Sequence, residues 1–471
     1  MKKKQLRWTL WTIASPFILF IILCILIYLP PIQNFLVDKA AVYASEATGM
    51  NISVGRISLS FPLNLVVTDV DAASPHKDTL LSVRRLQVNV QLLPLLKKQV
   101  EVDGISLQGA TVNSNDLIHG MKLNGTLGEL FISSHGVALD PETAIVNKVL
   151  LKDTDLSLCL NDTAAADTAA SDTTYWKIIL QDIDLQNVSF ALDMPLDSLS
   201  LAASLDNAIL RDGLIDLHKS AYSLQTFRIK NGRVRYDSGR PSATASADSL
   251  SAGLDPSHIA LTDIGVKLDS LYYEGRNMKA IISQFVLKER SGVEIVSTEG
   301  RLVSNDKVLR VPSLKLETRD SYLELNAAMD WDALDFKKEG LVSARLMADI
   351  GKPDVVRFMG SMDEKFIRKY PSEPLRIRTG IDGDLNKLKL TTLTAELPGA
   401  LELFAKGELT SLTDSLLRGG DITLQAETKD LKFISTLAEG IEIPYGTRLE
   451  GKFTMAGPKM GTDLLLMQPE A

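Results

Sequence analysis

The sequence predicts a mainly β protein, with one N-terminal transmembrane helix followed by an elongated, repetitive sheet and a few short helices. Three observations carry that prediction. Leu10 to Leu29 is an uncharged apolar run of membrane length. From Asn51 onward, short runs alternate apolar and polar residues. One eight-residue pattern recurs along those runs.

At 471 residues the chain could hold several domains, yet no Gly/Pro-rich linker divides it. Apolar residues make up 45%, enough for a large buried surface, while aromatics are only 6%. A net charge of -8 and a pI near 5.4 argue against a nucleic-acid partner, because phosphate binding needs clustered Lys and Arg. Cys24 lies in the most apolar segment and Cys159 in a strand-like run, so no disulfide joins them in this reading.

The first element is the span 10–29, LWTIASPFILFIILCILIYL. Twenty residues at ~1.5 Å each match ~30 Å of hydrocarbon. Residues 1–9 hold Lys2, Lys3, Lys4 and Arg7, and no such cluster follows, which puts the N-terminus in the cytoplasm and the body across the membrane. Trp8, Trp11 and Tyr28 fall near the two interfaces. A cleaved signal peptide is the rival. Against it stand the length of the run and Pro30-Pro31 directly after it, with no small-residue cleavage site there.

Residues 32–49 form the second element. Ile32, Phe35, Leu36, Ala40, Tyr43 and Ala47 recur at helical steps, and Gly49 supplies a stop. The stripe suits a helix that caps a sheet, lies on the membrane surface, or does both.

From Asn51 to the end the reading is sheet. Ile52–Val54, Arg56–Phe61 and Leu65–Asp71 alternate in quick succession. Val83–Val90, Gln99–Val102 and Ile105–Leu107 then read as three short runs. In the first of these Leu86, Val88 and Val90 share one face, with Gln87 and Asn89 on the other. Pro94, between the runs, cannot donate to a ladder and marks a turn or an edge.

The recurring octet reads apolar, any, Leu/Ile, any, Gly/Asn/Asp, any, any, apolar. It occurs at Ile105–Val112, Val149–Leu156, Ile183–Phe190 and Phe227–Val234, with a looser copy at Phe285–Gly292. Its first and third places share a face. The fifth holds Gly109, Asp153, Asn187 or Asn231, residues that accept left-handed backbone at low cost. The apolar parity then slips by one, as a bulge or tight turn would make it do. Repeats at such intervals point to units that stack on their neighbours.

Asn161–Thr174 (NDTAAADTAASDTT) has no apolar side chain larger than alanine, which predicts a disordered loop. Pro371–Pro374 is a second loop, and Asp354–Lys369 and Asp430–Glu439 read as short helices against the sheet. The chain ends at PKMGTDLLLMQPEA without a closing element, as a piece of a longer protein would.

Catalytic signals are near misses. Gly446–Lys452 has phosphate-loop spacing, but Phe453 stands where a Ser or Thr must hold magnesium. The pairs Asp69/Asp71, Asp153/Asp155, Asp182/Asp184 and Asp382/Asp384 could serve acid/base or metal chemistry, yet they sit beside turns on the wet face. His76, His119, His135, His218 and His258 lack ligand spacing. The expectation is a non-enzyme with no catalytic residue, no metal and no cofactor.

Taken in order, the span ending YLPP, the amphipathic run to ATGM, VGRISLSFPLNLVVTDVDA and LLSVRRLQVNVQLLPLLKKQVEVDGISLQGATVN resemble the AsmA-like and TamB-like family of Gram-negative envelope proteins. The resemblance covers the first ~115 residues and rests on pattern, not on invariant chemistry. It implies a single-pass inner-membrane anchor and a periplasmic sheet over 51–471, curled into an open, taco-like groove. It also implies a role in lipid movement or outer-membrane assembly. The chain departs from the family in lacking its long continuation and C-terminal domain, and in carrying the Asp/Thr/Ala loop.

The residues support that expectation separately. A sheet with one apolar face must have it covered, and this chain has too few helices for the task. Exposing one acyl tail of ~15 methylenes to water costs about 12 kcal/mol, which a continuous apolar trough largely removes. Roughly 25 strands at ~4.8 Å would make such a trough about 120 Å long. Its lining would be Leu86, Val88 and Val90, Ile105 and Leu107, Val149 and Leu151, Ile183 and Leu185, and Phe227 and Ile229. The membrane contacts would be Trp8, Trp11, Tyr28, Ile32, Phe35 and Leu36. The expected partners are phospholipid acyl chains, the inner membrane and an outer-membrane β-barrel assembly partner. Phospholipid transport between the membranes is the leading expectation. The alternatives are an assembly factor that offers its sheet edge to outer-membrane β-barrel or autotransporter strands, an adhesive module, and a closed sandwich whose apolar face is all core.

Overall fold

The computed structural model describes residues 39, 41–42, 45–46, 49–60, 64–74, 79–91, 102–114, 120–138, 142–161, 175–239, 253–335, 338, 340–359, 364–384, 386–412, 416–436 and 443–468. Among them, 22 strands form one hydrogen-bonded sheet, so the protein is mainly β. The chain divides into two compact units, Met1–Asn207 and Ala208–Ala471.

The first unit holds β1 (Asn51–Ser60), β2 (Asn64–Ala73), β3 (Thr79–Val90) and β4 (Val102–Asn113). Three strands of 18 residues follow, β5 (Met121–Ala138), β6 (Thr143–Leu160) and β7 (Lys177–Met194). Each pairs with the next, antiparallel from β1 to β6 and parallel between β6 and β7. The runs around Val102 and Ile105–Leu107 are one strand, because Gly104 continues the extended backbone between them and faces Asn89 and Ser133 in the ladders. Likewise Ile52–Val54 and Arg56–Ser60 merge in β1.

Before β1, Lys39, Ala41, Val42, Ser45 and Glu46 are helical. Gly49 ends that run as anticipated, at φ +69°, its amide donating to the Ser45 carbonyl at 2.9 Å. No helix among the described residues is long and apolar enough to cross a membrane. The predicted span 10–29 lies outside the described residues, as do Trp8, Trp11, Tyr28, Ile32, Phe35 and Leu36. The same holds for Pro94 and for 162–174 of the predicted loop.

Strand β8 (Leu199–Asp216) carries the boundary between the units. After it come β9 (Ala221–Leu224), β10 (Thr226–Ser238), β11 (His258–Glu274), β12 (Asn277–Glu289), β13 (Glu294–Ser304), β14 (Val308–Thr318) and β15 (Tyr322–Asp330). Then follow β16 (Val342–Ile350), α1 (Lys352–Phe358), α2 (Glu364–Lys369), β17 (Leu375–Gly383), β18 (Lys387–Leu397) and β19 (Leu401–Thr410). The last are β20 (Gly419–Thr428), β21 (Arg448–Ala456) and β22 (Lys459–Met467). From β10 onward each strand pairs antiparallel with the next.

Helix forms where expected near 352–369, as α1 and α2. Of the 430–439 stretch, the described residues 430–436 hold a 3-10 turn, Ile434–Thr436, and 437–439 lie outside the described residues. Together these elements make the packed core of the second unit. Phe366 and Tyr370 meet Phe433 with ring centroids 5.8 and 5.2 Å away, over Leu397, Ala400 and Leu431. Helix α1 is held by its own Asp354, 1% exposed, which accepts from Thr318, from Ser321 at 2.6 Å and from Arg357 at 2.9 Å. Burial alone would push that carboxyl up. The hydrogen bonds and the guanidinium charge outweigh it and hold the group below the usual carboxylate range.

Candidate functional site

Residues directly opposite in a ladder share a face, so the registers show what lines each side of the sheet. In β1–β7 they align two apolar rows. One is Ile57–Val67–Leu86–Leu107–Leu130–Leu151–Leu185. The other is Leu59–Leu65–Val88–Ile105–Ile132–Val149–Ile183. Six strand spacings make each row about 29 Å long. On the opposite face, Arg56–Thr68–Arg85–Gln108–Glu129–Lys152–Gln186 runs beside them and is polar throughout. The predicted lining residues of this unit therefore belong together. Val90 sits one step beyond, opposite Val102. Phe227 and Ile229 belong to the second unit, opposite Leu268 and Val266.

All eleven predicted lining residues are half-buried, neither sealed in a core nor fully in water. The buried apolar side chains among the described residues of the first unit are Val67, Ala72, Leu80 and Val83. Sequence reasoning misses Ile57, Leu59, Leu65, Val67, Leu130 and Ile132, which complete the rows. Alternation is visible around each, but their alignment depends on register.

The four fifth-place residues of the octet are all left-handed: Gly109 at φ +61°, Asp153 at +49°, Asn187 at +51° and Asn231 at +55°. Three more occur within strands, Asp69, Asp212 and Asp263, at +54°, +50° and +52°. Ala208–Ile215 and Ile259–Val266 fit the octet in full, and Leu65–Ala72 fits it with Val at the third place, so the signal is present there too. The looser copy is different: Phe285–Gly292 runs out of β12 into a turn, with Gly292 at +93°.

The parity slip follows. Val67 and Ala72, an odd number of residues apart, are both buried, while Asp69 and Asp71 are exposed. Gly128 on β5 shows why a strand beside a left-handed residue can need glycine, because a Cβ there would come within 2.8 Å of the Asp153 Cβ.

Charged groups take no part in the rows. A concavity of about 870 Å³ lies among β17–β21, where Arg376, Glu396, Glu427 and Arg448 neutralise each other in pairs at 3.4 Å. An apolar cavity of about 220 Å³ lies among Leu409, Ile422, Phe453, Met455 and Met460. Among the described residues no group of three or more His, Cys, Asp or Glu could hold a metal ion. Lys452 of the phosphate-loop-like stretch lies in β21 and pairs with Asp421. No family model and no curated protein matches this chain.

Proposed function

We propose that the apolar face of β1–β7 is a trough for fatty acyl chains, and that the chain is a membrane-anchored carrier of phospholipid between the two membranes of an envelope. One observation carries this reading: two uninterrupted apolar rows cross seven strands, and every side chain in them but Val67 stays half-buried. A tail of ~15 methylenes laid along such rows escapes most of the ~12 kcal/mol it would lose in water. Neighbouring positions along a row are chemically alike, so a tail can slide without detaching. The site holds no charge to grip a headgroup, which favours breadth of lipid species.

Photocrosslinking in living cells from Leu107 and Leu185, with Ser106 and Gln186 as opposite-face controls, tests it. Tail-linked lipid at the first set alone supports the trough. Equal labelling at both sets, or none, sinks it.

A second reading draws on β22. All nine of its residues are exposed, its pairing with β21 runs without a bulge, and Leu464, Leu465 and Leu466 stand on it. A strand so exposed can pair with another strand, as an assembly factor for outer-membrane barrel strands would require. A nascent barrel protein trapped at β22, with no lipid on the rows, would favour this reading.

A further inference from the structure

Across β1–β7 one row differs from every other: Gly55–Asp69–Arg84–Gly109–Gly128–Asp153–Asn187. At this row the ladder lapses in all six strand pairs, while the register on either side is unchanged. Four of the seven residues are left-handed, on β2, β4, β6 and β7. Asp69, Arg84, Asp153 and Asn187 are exposed. The side-chain bond from Asn187 to Asp153, 2.9 Å, runs along the line and does not cross it.

Bending a sheet about an axis perpendicular to its strands requires every strand to change its backbone at the same row. Here the partner pairing is interrupted along the whole row, and on four of the seven strands the row residue already lies outside the extended region. We propose that this row is a hinge line. The arm bearing Leu107 and Leu185 swings about it against the arm bearing Val83, Ala110 and Leu127. The motion widens or narrows the apolar face between them. This stands without the lipid reading and would survive its failure.

Spin-label distances test it on the full chain with Cys24→Ser and Cys159→Ser. Asp103→Cys with Asn113→Cys spans the line on β4, and Lys177→Cys with Asp193→Cys spans it on β7. All four sites are exposed. Arg448→Cys with Ala456→Cys reports on β21, whose ladders are unbroken on both sides. The expected result is a distance distribution at least twice as wide for the hinge pairs as for the β21 pair. Equal widths for both hinge pairs would overturn the hinge. If one labelled hinge variant does not fold, the other decides.

Discussion

The two units solve one problem in different ways. In Met1–Asn207 the strands lengthen to 18 residues, and a line on which four of seven residues are left-handed crosses β1–β7. The buried apolar side chains described there are few and small, none larger than leucine. In Ala208–Ala471 the strands from β13 onward run 9–11 residues, and the ladders joining β15–β17 and β19–β22 are unbroken. There, α1, α2 and the 3-10 turn at Ile434–Thr436 supply a cover with an aromatic centre. The lesson is that an apolar sheet face can be met by protein or left for a ligand. On the proposed function, the long strands of the first unit take the second course.

The sharpest test of that contrast is Phe366→Ala. Phe366 is 2% exposed within the aromatic cluster, so truncation should cost about 4 kcal/mol in denaturant unfolding. A loss near zero would mean the cover is not a core. Next in size, Asp354→Asn removes the carboxylate that anchors α1 and should cost about 3 kcal/mol. The same carboxylate gives the second unit a pH dependence. Its folded pKa lies below the unfolded value, so its contribution is present above the ordinary value of about 3.9 and is lost as the pH falls through the lower folded one. Acid titration of the Asp354→Asn variant should show a shallower loss of stability below pH ~4 than the parent.

In the first unit, Asn187→Val should cost about 1.5 kcal/mol, because a β-branched residue is strained at φ +51°, while Asn187→Gly should be near neutral. Equal effects of the two would remove the backbone argument for the line. A smaller loss than at Asn187→Val is expected at Leu107→Ala, about 1 kcal/mol for a half-buried leucine, measured by thermal unfolding. A cost like that at Phe366 would show that the row is sealed core and would erase the difference between the units.

Much of the local structure is legible in the sequence. The period of two in Leu86, Val88 and Val90 reports the pleat of their strand. Gly109, Asp153, Asn187 and Asn231 report a backbone state each residue adopts by itself. Gly49 likewise marks a helix end through its own conformational freedom. The points of difference share a cause, which is that a local signal fits more than one structure. Gly104 reads as a break between runs although it lies within β4, because glycine permits extended backbone as readily as a turn. The 430–439 run has helical spacing, yet its described residues 430–436 hold a 3-10 turn against the cluster, because a segment so short has little helical stability of its own.

The strand-rich class, the apolar parity of each strand and the residue at which that parity slips are all written in the chain, because they depend on a residue and its near neighbours. Three features are not: that β6 and β7 run parallel, that the slips fall on one line, and that apolar faces align into rows. Those emerge only on folding, as matters of register between segments tens of residues apart. Hydrogen bonding between backbones, which are alike in every residue but proline, leaves no local trace of its partner.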